Sequence, residues 1–145
     1  MPMIDVYAAA GAFADKHQLA IDLATTVMTI EEVPNIPMIR QNTAGFVHEL
    51  PEGDLTNVNG EAGYARVQVL TNAGALDRDK QLKVVEQLAD VVSRASGGTI
   101  AVDHIWVLLT EAAAGGWGLN GHANTNDELV AAARAQIAEL QAAKQ

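Results

Sequence analysis

The sequence has no cysteine, which excludes disulfides, thiolate nucleophiles and cysteine-based metal sites. Aromatic residues make up 4% of its 145 residues, so a core has to be built mainly from Ala, Val, Leu and Ile. Basic residues are scarce: nine Lys and Arg stand against eighteen Asp and Glu, for a net charge of -9. The nine are scattered, so a nucleic-acid partner is not expected. The acidic excess forms no block and reads as solubility. No apolar run approaches the ~20 residues of a membrane span. The first residues carry no basic stretch followed by an apolar one, so no signal peptide is expected and the cytoplasm is the expected location. What is present is an ordinary globular balance, 49% apolar and 19% charged, in a length that fits one domain over residues 1–145.

The order of the segments suggests one unit written twice. Pro2–Tyr7 (PMIDVY) reads as a strand. Asp15 opens a helix to about Glu32, with Leu19, Leu23, Val27 and Ile30 on one face. The stretch Val33-Pro34-Asn35-Ile36-Pro37 ends it, and Thr43–Leu50 returns as a second strand. The pattern then recurs at a distance of about sixty residues. Tyr64–Thr71 alternates as a strand. Asp77 opens a helix to about Ser96, with Leu82, Val85, Leu88, Ala89 and Val92 as its apolar face, and Gly97-Gly98 stops it. His104–Leu109 is a fourth strand. Two tandem β-α-β units, at about 2–50 and 64–112, predict an α/β (α+β) fold with a four-stranded sheet and two helices on one face. The other sheet face must then be covered, by the tail or by neighbouring subunits, so an oligomer is expected. After a glycine-rich connection at 115–121, Thr125-Asn126-Asp127-Glu128 has capping-box spacing and predicts a C-terminal helix over about 125–143.

Pro2 is the first candidate for chemistry. Loss of Met1 would leave a secondary amine whose ring fixes its direction. A free α-amine titrates near ~7.7–8.0, and burial at a strand end lowers that value by disfavouring the charged form. A neutral amine can take a proton alpha to a carbonyl or attack the carbonyl to form an iminium. The plainer alternative is a processed N-terminus with no role. Arg40, the only basic residue between Lys16 and Arg66, lies in the loop entering the second strand and suits a substrate carboxylate. Otherwise it is a solvated loop arginine. Trp106 and Trp117 either wall a small apolar pocket or pack in the core. Glu111, at the end of strand four, can orient a water or a substrate, or simply lie at the surface. His17, His48, His104 and His122 form no ligand pair, so no metal is expected. The glycines at 115–121 follow no phosphate-binding pattern, so no nucleotide cofactor is expected.

Pro2, the tandem units and the phrase His104-Ile105-Trp106-Val107-Leu108-Leu109-Thr110-Glu111 together resemble the tautomerase superfamily, over roughly residues 2–122. That superfamily includes 4-oxalocrotonate tautomerase, macrophage migration inhibitory factor and cis-3-chloroacrylic acid dehalogenase. The resemblance implies a homotrimer whose sheets enclose a central barrel, covering the bare face. It implies proton transfer by the amino-terminal proline on enolisable keto acids or related small carbonyl compounds, without cofactor. Pro2 carries over as the catalytic residue and Arg40 as the carboxylate ligand, and Asn72, Trp106 and Glu111 complete the expected substrate-binding residues. The two arginines that the dehalogenases carry after strand three are absent from Leu70-Thr71-Asn72-Ala73-Gly74-Ala75, and their strand-four tyrosine falls on Leu108. Asn72 stands where those arginines would be and suits a less charged substrate. Two other readings compete: a non-catalytic trimer that binds a small molecule or partner, and an unrelated dimeric ferredoxin-like domain.

Overall fold

A computed structural model describes residues 1–145. The first β-α-β unit consists of β1 (Met3–Ala9), α1 (Lys16–Glu31), a short helix α2 (Pro37–Gln41) and β2 (Ala44–Leu50). The second consists of β3 (Ala65–Thr71), α3 (Arg78–Ala95), a single 3-10 turn at Val102–His104 and β4 (Ile105–Glu111). A hairpin of β5 (Trp117–Leu119) and β6 (His122–Asn124) follows, then α4 (Asn126–Ala142). The four main strands form one sheet in the order β2-β1-β3-β4. Within each unit the strands are parallel, as a crossover helix requires. The units meet through an antiparallel β1–β3 pair, with Val6 opposite Val67 at its centre. The two units are thus related by a local twofold rotation.

The helix starts are set by side-chain caps. The carboxylate oxygen of Asp15 accepts from the Gln18 N–H at 3.0 Å, and that of Asp77 from the Lys80 N–H at 2.9 Å. Thr125 does the same for Glu128 at 3.2 Å. Leu19, Leu23, Val27 and Ile30 of α1 are buried, as their spacing predicts. They pack with Ile4, Val6, Val67 and Val69 of the inner strands into the main core. Each such side chain contributes about 1.5–3 kcal/mol on burial. Gly45 is where α1 lies on β2: a Cβ there would collide with the Ala20 carbonyl.

Several expectations require correction. The buried stripe of α3 is Val84, Leu88, Ala89 and Val92. Leu82 and Val85 lie on its exposed flank, because α3 is rotated so that its four-residue stripe, rather than the neighbouring one, meets the core. Pro37 does not merely end α1: at a first helical position its fixed φ starts α2. Arg40 therefore sits in a helix rather than in a loop. The glycine-rich connection contains the β5–β6 hairpin. Asn120 and Gly121 form its two-residue turn with φ of 55° and 71°, and Asn-Gly is the strongest short-range hairpin signal.

The C-terminal helix does not cover the bare sheet face. It packs across one end of the sheet, against α2 and β6. The uncovered face carries Phe46, Leu70, Trp106 and Leu108, each more than a third exposed. Between them lie Asp5, which bonds His48 Nε2 at 2.7 Å, and Arg66, placed over the Tyr7 ring. No helix is long and apolar enough to cross a membrane.

Candidate active site at the start of β1

The topology brings three chain segments to one point. Because α1 crosses back between parallel strands, its last turn ends beside the start of β1. Because β3 runs antiparallel to β1, the end of β3 lies there too, with Leu70 opposite Met3. The start of β1 is thereby enclosed by Glu31 from α1 and by Asn72 just after β3. Pro2 is fully buried, and its carbonyl accepts from the Ala44 N–H at 3.2 Å. Met1 is only 4% exposed, and its amine lies 3.7 Å from Glu31 Oε2.

Met1, Glu31 and Asn72 border a cavity of about 280 Å³, with Pro2 buried behind Met1 rather than lining it. Met1, Glu31 and Asn72 supply one wall and Val33, Pro34 and Ile39 a second. Leu129, Val130 and Ala133 of α4 supply a third. That third wall is fixed by two hydrogen bonds: Asn126 Nδ2 donates to the Ala73 carbonyl at 2.7 Å, and the Met38 N–H donates to Gln136 Oε1 at 2.7 Å. Leu129 joins Met1, Ile36, Ile39 and Trp117 in a second, smaller core beneath.

The site is polar where it touches the chain's beginning. Buried side-chain polar atoms are normally paired, yet Glu31 Oε1 and Asn72 Nδ2 are buried without a partner. Burial pushes the Glu31 carboxyl above its ordinary value, against the opposing pull of the Met1 amine and of Lys80. Burial pushes the Met1 amine below its ordinary value, against the pull of Glu31. Both shifts favour the neutral forms, an amine and a carboxylic acid side by side. Lys80 Nζ donates to the Glu31 backbone carbonyl at 3.1 Å rather than to the carboxylate. The residue after Glu31, Glu32, closes α1 with φ of 59°, a left-handed conformation uncommon outside glycine that turns the chain sharply at the site.

Of the residues picked out from sequence, Pro2 and Asn72 converge here and three others do not. Arg40, in the last turn of α2, is exposed and donates to Asn35 Oδ1 at 3.0 Å. It borders a different cleft with Ile21, Met28 and Thr43. Trp106 faces the uncovered side of the sheet, because alternate β4 positions point away from the helices, and it stacks on Tyr64 at 4.7 Å. Trp106 and Trp117 consequently share no pocket. Glu111 is exposed at the end of β4, opposite Thr71 and one strand beyond the cavity. Glu31 was missed. Its signal is positional: it follows Val27 by four residues and so lies on the apolar stripe of α1, where a carboxylate is out of place. The contribution of α4 was also missed, since nothing in its own periodicity states which surface it covers. No group of three or more His, Asp or Glu side chains is placed to hold a metal ion.

No protein-family model matches the chain, and no curated protein does. Solved structures match along most of its length. A fused 4-OT, described as an asymmetric trimer, is 14% identical with a TM-score of 0.71, over 88% of this chain and 98% of that one. N1, a member of the cis-3-chloroacrylic acid dehalogenase family, is 18% identical with a TM-score of 0.66, over 82% and 80%. A macrophage migration inhibitory factor from Toxoplasma gondii is 13% identical with a TM-score of 0.57, over 81% and 96%. At such identities the likeness is one of fold.

Proposed function

We propose that this chain, which has the tautomerase fold, is a cofactor-independent isomerase that moves a proton within an enolisable small carbonyl compound. The observation that carries the reading is the buried, unpartnered carboxylate oxygen of Glu31, in a cavity whose opposite member is the chain's terminal amine. Loss of Met1 would free the Pro2 nitrogen, now tied up in an amide, and add the volume of Met1 to the cavity. A neutral Pro2 amine then takes the proton alpha to the carbonyl as general base. Protonated Glu31 gives its proton to the carbonyl oxygen, and Asn72 Nδ2 donates a hydrogen bond to that oxygen as charge develops. The step leaves an ammonium and a carboxylate, and proton return from the first to the second restores the pair. Arg40, Trp106 and Glu111 enter this scheme only if an adjacent subunit delivers them.

The proposed working form is a homotrimer. Its support is the uncovered apolar sheet face, together with the trimeric assembly named for the fused 4-OT relative. The absence of arginine from Leu70-Thr71-Asn72-Ala73-Gly74-Ala75 motivates a second reading, a small-molecule-binding protein without turnover. Intact mass of the purified protein separates the two, followed by ketonisation assays on the enols of phenylpyruvate and of its methyl ester. Pro2→Ala should lower kcat on the better substrate by about 10²-fold or more. An unchanged rate overturns the mechanism.

A further inference from the structure

The charge distribution around the cavity carries a statement about what it takes. Its only ionisable side chain is Glu31, an acid, and no arginine or lysine lines it. The nearest cation, Lys80, is spent on the Glu31 backbone carbonyl, and Arg40 faces another cleft. An anionic group entering this space would meet no cationic side chain and would sit beside a second carboxyl group, an arrangement that burial makes unfavourable. The groups that await a ligand are of another kind. Asn72 Nδ2 is a neutral donor, buried and unpartnered, and it matches one carbonyl oxygen. The remaining walls, from Val33 and Ile39 to Leu129 and Val130, are apolar. The α4 wall is tied to the rest of the chain through Asn126 and Gln136.

We propose that the site selects an uncharged, mostly apolar carbonyl compound, a ketone, aldehyde or ester, and discriminates against the corresponding carboxylate. Asn72 holds the carbonyl oxygen, the absence of a cationic side chain leaves an entering carboxylate without a counter-charge, and α4 supplies the apolar specificity wall. The inference rests on the isomerase reading for the identity of the site, but it concerns binding, which is measured apart from turnover.

Two ligands of nearly equal shape provide the test: benzyl methyl ketone and phenylacetate, titrated calorimetrically against the full chain with Met1 removed. The ketone should bind at least tenfold more tightly. Asn72→Leu should weaken the ketone by about tenfold, the loss of one hydrogen bond to a buried donor. Asn72→Asp, which keeps the size of the side chain and loses the donor, should do the same if the leucine variant folds poorly. Equal or tighter binding of phenylacetate overturns the proposal, as does binding of neither ligand. Phenylacetate affinity that collapses in Lys80→Gln or in Arg40→Gln also overturns it, because Lys80, or Arg40 delivered by an adjacent subunit, would then be serving as a carboxylate anchor. A ketone preference without Pro2-dependent turnover would uphold the selectivity and sink the isomerase.

Discussion

The ends of α1 and α3 occupy equivalent places in the two halves of the sheet, and each buries one polar residue. At the end of α3 that residue is Ser96, 6% exposed. Its hydroxyl donates to the Ser93 carbonyl at 2.7 Å and accepts from the Ile100 N–H at 3.0 Å. At the end of α1 it is Glu31, 7% exposed, with one carboxylate oxygen unpaired and the other facing an amine. A satisfied buried polar group secures a turn. An unsatisfied one costs stability, and here it borders the cavity at the chain's beginning. The same frame thus supplies a closing device in one half and, in the proposed reading, the candidate site in the other. The end of α1 lies beside the start of β1, and the end of α3 beside the start of β3, which residues 51–63 lead into.

The sharpest way to break this contrast is to exchange the consequences of its two members. Glu31→Gln keeps the shape and removes the transferable proton. Turnover should fall by about 10²-fold or more, while the urea midpoint should hold or rise, since a buried ionisable group is lost. Ser96→Ala should do the reverse. Leaving the Ile100 N–H buried and unpaired should cost about 1–3 kcal/mol in urea unfolding, with kcat of the folded protein unchanged. If Ser96→Ala abolishes turnover, or Glu31→Gln unfolds the protein without affecting kcat, the assignment of the two roles is wrong.

A smaller effect sharpens the comparison through pH. The Glu31 carboxyl titrates above its ordinary 4.5 in the folded chain, so the native state keeps a proton that the unfolded state has released. Stability from this group therefore falls as pH rises above about 4.5. Thermal melts of wild type and Glu31→Gln from pH 4 to 7 should diverge, the glutamine variant gaining relative stability with pH. No such divergence should accompany Ser96→Ala, which has nothing to titrate.

Much of the frame was legible because local rules and tertiary packing agree in it. Asp15, Asp77 and Thr125 each announce a helix start, and each caps one. The alternation in β3 is the burial alternation observed. Leu88, Ala89 and Val92 of α3 are buried as their spacing predicts, whereas Val84 takes the place expected for Leu82 and Val85, since all three fit a helical period and only the docking angle selects between them. The site was half legible. Pro2 and Asn72 converge because antiparallel β1 and β3 place a strand start beside a strand end, a relation that only the topology reveals. Glu31 was available as a charge on an apolar stripe. Arg40 was misplaced because Pro37, taken as a terminator, also begins a helix. The role of α4 depends on two long-range hydrogen bonds, Asn126 with Ala73 and Gln136 with Met38, for which sequence spacing holds no sign.

The antiparallel seam between β1 and β3 also bears on how the molecule can be divided. The two halves are joined in sequence by residues 51–63, nearly all of which are exposed, while their union in space is the pairing of Val6 with Val67 and its neighbours. A cut in that connector would leave both fragments holding complete β-α-β units, reassociating along the seam. The second fragment would then own a free amino end of its own at the start of β3, at the opposite end of the sheet from the start of β1.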